Sequence, residues 1–221
     1  MCFGPVASFT ASGFLASIGA VILKNVRSKK ELFFAAFPAL FAIQQFIEGL
    51  IWLEIKQGKT ESAWTHGLTF AFLFFAYSLW PTLCPISVYA IEYNPKRKKI
   101  LKFLILLGII SSAYLLLFIL INPFDASKAG CCSLHYQTFI PMADHFTPVY
   151  VAAVLLPYFV SSQRSILVFG VPNIIFCAIA YYAYQSSFIS VWCFFAALIS
   201  ANLYIFLRRL HHEPILPIHQ T

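Results

Sequence analysis

Apolar residues run along this chain in long blocks separated by short polar turns, many of them basic. A hydrocarbon core about 30 Å thick needs roughly 20 helical residues to cross it. The blocks at about 8–25, 32–54, 64–91, 100–121, 147–162, 165–185 and 188–208 meet or approach that length. The fifth is the shortest, because Pro157 falls inside it and Ser161, Ser162, Gln163 and Arg164 follow. The pattern predicts an all-α, polytopic membrane bundle of seven transmembrane helices, with residues 1–210 as one domain and 211–221 as a short tail.

Composition supports lipid as the solvent. With 60% hydrophobic and 10% charged residues among 221, too little polar surface exists to cover a water-soluble globule. A formal charge of +7 would suggest nucleic acid in a soluble protein, but here the cations cluster between apolar blocks. Lys24, Arg27, Lys29 and Lys30, then Lys96, Arg97, Lys98, Lys99 and Lys102, then Arg164, then Arg208 and Arg209 fall on one side of a seven-span chain. The opposite side keeps Lys56, Lys59 and Lys128. That asymmetry predicts an outside N-terminus and a cytoplasmic C-terminus, with membrane lipid and not nucleic acid as the partner. The first lysine is Lys24, so the opening block lacks the basic start of a secretory signal and is expected to stay as a span.

Within the blocks, small residues and prolines predict packing. Ser8, Ser12, Ala16 and Ala20 recur every four residues, a spacing that lets backbones approach and predicts a centrally packed first helix. Ala196, Ala197, Ser200 and Ala201 repeat the device in the last block, whereas the fourth, mostly Leu and Ile around Ser111 and Ser112, reads as lipid-facing. Pro81 and Pro85, one turn apart beside Trp80 and Thr82, predict a break whose freed carbonyls need partners in protein or water. Ser28 to Pro38 and Ser162 to Pro172 run alike from a polar turn to a proline. Spans one to three then echo spans five to seven, an arrangement similar to that of the sugar-facilitating SWEET proteins.

Glu48 is the outstanding polar position, set in the apolar run from Phe33 to Leu53 with Gln44 and Gln45 one turn before it. Acids are rarely placed in hydrocarbon without a use. At 1.5 Å per residue Glu48 lies roughly 10 Å below the outer end of its helix, and His66 begins the antiparallel neighbour near the same surface. Gln44 and Glu48 share a face by four-residue spacing, with Gln45 about a quarter-turn away. The outer loop 122–146 adds Cys131, Cys132, His135, Asp144 and His145. Imidazole with carboxylate suits a divalent transition metal such as zinc or copper, although HExxH is absent. The competing reading has Glu48 neutral or hydrogen-bonded to Gln44, Gln45 or the Trp52 indole, serving only to hold helices together. Cys84, Cys177 and Cys193 read as apolar fillers, while Cys2, Cys131 and Cys132 are candidates for a disulfide or a reactive thiol.

Met1-Cys2-Phe3, Ala7 to Ala11, Phe37-Pro38, Gln44-Gln45-x-x-Glu48-Gly49, Trp80-Pro81, Pro85 and Glu92 together resemble an uncharacterised family of bacterial multi-pass membrane proteins. The resemblance covers about the first ninety-five residues; members more usually read Ser-Ala-Thr where this chain has Gly4-Pro5-Val6. It implies a bacterial inner-membrane location and no particular reaction. Two other seven-span classes are disfavoured on residues: the last span lacks the paired histidines of alkaline ceramidases and the Schiff-base lysine of retinal proteins.

The leading expectation is therefore a membrane protein with a polar, metal-binding pocket near the extracytoplasmic face, built from Glu48, His66, Gln44 and Gln45 and flanked by Trp52 and Trp80. If it is an enzyme, metal-activated water attacks a lipid-derived or other small-molecule substrate, with Glu48 and His66 catalytic. The alternatives are a transporter or channel for a proton, metal ion or small solute, and a scaffold or sensor.

Overall fold

The structure, a computed structural model, describes residues 4–129 and 133–212, with the backbone alone at Asp144 and 209–212. Each apolar block forms helix. The helices are α1 (Pro5–Lys24), α2 (Leu32–Ala35), α3 (Phe37–Lys56), α4 (Ala63–Leu73), α5 (Trp80–Ile91), α6 (Pro95–Ile121), α7 (Ala143–Val160), α8 (Leu167–Ala183), α9 (Phe188–Ser200) and α10 (Leu203–His212). Their starts reflect local chemistry. Pro5, Pro38 and Pro95 sit in first turns, where the missing N–H has no helical partner to lose. Ser62 Oγ accepts the Thr65 N–H at 3.1 Å and Asn94 Oδ1 the Lys96 N–H at 2.9 Å, capping α4 and α6.

Among the described residues, six stretches are long and apolar enough to cross a membrane: Pro5–Lys24, Leu32–Lys56, Ala63–Ile91, Pro95–Ile121, Arg164–Ala183 and Gln185–Arg208. The fifth predicted block is the shorter apolar helix His145–Val160, ended by Ser161. The region read as the loop 122–146 departs from the all-helical expectation. It contains an antiparallel hairpin, β1 (Phe124–Ala129) and β2 (Ser133–Thr138), whose Ala126, Leu134 and Tyr136 are buried against Ile51, Trp52 and Phe72.

Centrality also differs from the small-residue reading. In α1, Ser8 and Ser12 are buried but Ala16 and Ala20 are exposed. Only 33% of its apolar window is buried, against 61% for Leu32–Lys56. The hub is therefore α2–α3, with α1 laid along it: Ser12 Oγ donates to Ala42 O at 2.8 Å, and Phe9 lies where a side chain at Gly49 would have to go. Helix α6 is largely outward, as expected, but keeps a packed stripe through Leu101, Leu104, Gly108, Ser111 and Ser112.

Helix α5 runs on through Pro81 and Pro85, and the departure from regular α-helix lies upstream of them, as a π-helical segment, Phe74–Leu79. Its carbonyls find hydroxyls from neighbouring helices: Tyr150 OH donates to Ala76 O at 2.7 Å and Ser112 Oγ to Ser78 O at 2.7 Å. Pro85 leaves the Pro81 carbonyl without its helical donor, and that oxygen lies against the bare Cα of Gly108. The proline echo holds only in part, since Pro38 begins a helix and Pro172 sits inside one.

At the end carrying the basic turns, Glu92 closes the structure. Its Oε2 accepts the Ser162 N–H at 2.6 Å and Ser161 Oγ at 3.3 Å. Its Oε1 accepts Ser162 Oγ at 2.6 Å and the N–H groups of Tyr93 at 2.9 Å and Asn94 at 2.8 Å. Arg97 Nη1 donates to the carbonyls of Val160 at 2.8 Å and Ser161 at 2.6 Å. Burial alone would push the Glu92 carboxyl up, but the Ser162 hydroxyl and the backbone donors outweigh it and hold it below the ordinary glutamate value.

Two substitutions probe these contacts. Gly108→Leu is expected to lower thermal stability by about 1–3 kcal/mol, because its side chain would drive the α6 backbone off Pro81; melting of the purified protein in detergent measures this. Glu92→Gln is expected to cost about 1–3 kcal/mol by weakening charge-assisted hydrogen bonds. Because the folded carboxyl titrates below its unfolded value, its contribution is present above the unfolded pKa and is lost as pH falls through the folded pKa. A melting series across that acid range should therefore be steeper for the wild type than for Glu92→Gln.

Candidate functional site

Glu48 is 2% exposed and lies midway along α3, with Phe41 and Ala42 two turns before it in one apolar cluster and Ile51 and Trp52 one turn after it in another. Three elements supply its hydrogen-bond donors. Ser190 Oγ, from the first turn of α9, donates to Oε1 at 2.6 Å. Gln45 Nε2, three residues earlier on α3, donates to Oε2 at 3.2 Å. Tyr136 OH, from β2, donates to Oε1 at 3.5 Å. Burial first, and then the Glu48 carboxyl, push the Tyr136 phenol well above its usual value, which keeps it a donor. Its ring is fixed by stacking on Phe72, with centroids 4.5 Å apart.

Gln44 belongs to an adjoining arrangement. Its Oε1 accepts the Trp80 indole N–H at 2.8 Å, and Trp80 is itself stacked on Phe41 at 3.9 Å. The Gln44 side chain lies beside the Cys193 thiol, and its Nε2 finds no oxygen or nitrogen acceptor among the described residues. Of the residues proposed around Glu48, Gln45, and not the same-face Gln44, makes the contact, while Gln44 and Trp80 bond each other. Helical neighbours three apart are as close as those four apart, and Trp80 draws Gln44 aside. Trp52 is buried one turn beyond Glu48, but its indole is not among the carboxyl's partners.

Among the described residues, those proposed for a metal site do not gather. His66 is exposed and stacks on Phe124 at 4.1 Å, outside the set of groups that touch Glu48. His135 Nδ1 meets the Ser186 carbonyl, and His145 is exposed at the start of α7. Among the described residues no group of three or more His, Cys, Asp and Glu is placed to hold a metal ion. The physical reason is that α4 turns His66 outward while the hairpin fills the space above Glu48 with Tyr136 and Leu134. Cys2, Cys131, Cys132 and the Asp144 side chain lie outside the described residues. Cys84, Cys177 and Cys193 are buried free thiols.

Beside this cluster a cavity of about 220 Å³ opens between β2, the π-helical segment, α7 and α9, lined by Tyr77, Thr138, Tyr150, Trp192 and Cys193 among others. Cys193 is one helical turn from Ser190, so α9 presents one residue to Glu48 and the next turn to the cavity. A model of a family of unknown function, DUF6629, matches residues 1–215. The chain belongs to that family. No curated protein and no solved structure matches it. For this family member the site therefore rests on its own geometry.

Sequence reasoning missed Ser190 and Tyr136. Leu134 and Tyr136 alternate with polar neighbours, a strand signal present within the supposed loop. A lone serine in an apolar helix gives no such signal, because it bonds its own backbone as readily as a distant partner.

Ser190→Ala should destabilise the protein by about 1–3 kcal/mol, since it removes a buried donor from a carboxyl oxygen. In a double-mutant cycle with Glu48→Gln the two effects should couple and not add, as read by thermal melting.

Proposed function

We propose that this chain is a seven-span integral membrane protein, with its N-terminus outside and its C-terminus cytoplasmic, in which Glu48 is the proton site of a small-solute carrier. The basic end, with Lys24, Arg27, Lys96 to Lys99 and Arg164, supports this orientation. Helix α7, short but apolar, serves as the fifth span. A bacterial inner membrane is the location that goes with this reading.

One observation carries the proposal. The donors to Glu48 come from β2 and α9 as well as from α3, and β2 and α9 are also walls of the adjacent cavity. Gain or loss of a proton on Glu48 reverses which hydrogen bonds it can make, so it changes how two cavity walls sit against the hub. The helix Ala63–Ile91 forms a third wall through Tyr77 of its π-helical segment, and such segments are frequent at functional sites. The hydrolase reading draws less support. Water activated by a metal needs a set of nitrogen, sulfur or oxygen ligands, and the groups around Glu48 are two hydroxyls and an amide.

The test is pH-dependent access to the cavity. Thr138→Cys, placed in a chain whose Cys2, Cys131 and Cys132 are serine, is reconstituted in nanodiscs and labelled with a water-soluble maleimide. Intrinsic thiol reactivity is corrected with an exposed cysteine at Gln137. Between about pH 5 and about pH 9, corrected labelling should change about fivefold, and Glu48→Gln should abolish the change. The same pH response in Glu48→Gln would refute the proton-site reading.

A further inference from the structure

The geometry points to the cavity as a binding site for an uncharged, single-ring aromatic solute bearing a hydroxyl group. This names the solute class of the carrier proposed above; transport of the bound solute rests on that reading, whereas binding itself does not. The volume, about 220 Å³, exceeds the roughly 150 Å³ that holds benzene in an apolar protein interior and leaves room for one substituent. The walls are rings: Tyr77, Phe146, Tyr150, Phe188 and Trp192. They are set at angles, with Tyr150 edge-on to Trp192 at 5.9 Å and Phe188 tilted against it at 5.2 Å. A planar guest entering such a box gains offset or edge-to-face contacts with several rings. Its walls are already fixed: Trp192 Nε1 donates to Asn173 Oδ1 at 2.8 Å and Tyr150 OH to Ala76 O at 2.7 Å. Little ordering is therefore left for the guest to impose.

Besides Thr147, the cavity carries a hydroxyl pair, Tyr77 OH and Thr138 Oγ1, 3.3 Å apart, longer than the roughly 2.7–2.8 Å usual between hydroxyls. Two hydroxyls that share one hydrogen bond keep one O–H and several lone pairs free, enough to bind a third hydroxyl as both donor and acceptor. Tyr77 lies in the π-helical segment, and such segments are frequent at functional sites. None of the described lining residues is charged, so a carboxylate or ammonium guest would be desolvated without a partner. A saturated chain would leave the hydroxyl pair unused and gain no stacking. Behind Tyr150, Trp192 and Cys193 the space narrows to about 20 Å³, which closes the floor to anything beyond a water.

The experiment uses the full chain in nanodiscs at one pH with no gradient, and 4-bromophenol as the probe, whose heavy atom quenches indole fluorescence on contact. A saturable quenching component is expected, displaced by phenol and missing in Trp192→Phe. Half-saturation should weaken about tenfold in Thr138→Val, the cost of one buried hydrogen bond. Ala143→Phe, at the exposed rim, should block the cavity without disturbing the core, so its loss of saturation at unchanged melting temperature supports the site. Quenching that rises linearly and equally in wild type and Trp192→Phe is partition into lipid and overturns the proposal. Displacement by 1-decanol but not by phenol overturns it in favour of an acyl chain. Saturable binding alongside a Thr138→Cys labelling profile that ignores Glu48 would sink the proton reading alone; the reverse pattern would sink the binding site alone.

Discussion

In an apolar interior a polar group left without a partner is costly, so donors and acceptors there look to other groups of the protein. That constraint organises this molecule at three levels. The Glu48 carboxyl collects Gln45, Tyr136 and Ser190. The carbonyls of the π-helical segment collect Tyr150 and Ser112. Glu92, at the end carrying the basic turns, collects five donors from two turns. In each case at least one partner comes from an element distant in sequence, so satisfying the polar groups also fixes which elements are neighbours.

The helices were legible because hydrocarbon thickness imposes a length and composition that few other structures share. The irregularity near Pro81 and Pro85 was legible only in part: proline removes a donor wherever it stands, but the helix continues through both and departs from regular geometry upstream, at Phe74–Leu79. The burial of Glu48 was legible from its place in an apolar run, with Gln44 and Gln45 buried beside it. What could not be read was which residues would come from other elements. His66 and Glu48 fall on successive antiparallel helices, but placement along two axes leaves the rotation of each helix free, and α4 turns His66 towards Phe124. Ser12 and Gly108 show the same limit. Small residues announce close packing without saying whether the helix is at the hub or on its flank.

The hairpin changes the meaning of the segment 122–146. A connection of that length could have been solvated throughout, but Leu134 and Tyr136 make it a lid with an apolar underside, resting on α3 and α4. Tyr136 reaches Glu48 from one face of β2, and Thr138, two residues later on the same face, reaches the cavity. Strand alternation thus ties the acid and the cavity to one rigid ribbon.

The Glu92 and Arg97 latch bears on how a short apolar helix is held. Helix α7 carries Pro148 and Pro157 and falls short of the six described stretches that are long enough to cross a membrane. The junction of α5 and α6 offers one carboxylate and one guanidinium to the backbone at the end of α7. Those three contacts fall on peptide groups, so that part of the anchorage does not depend on which side chains stand there.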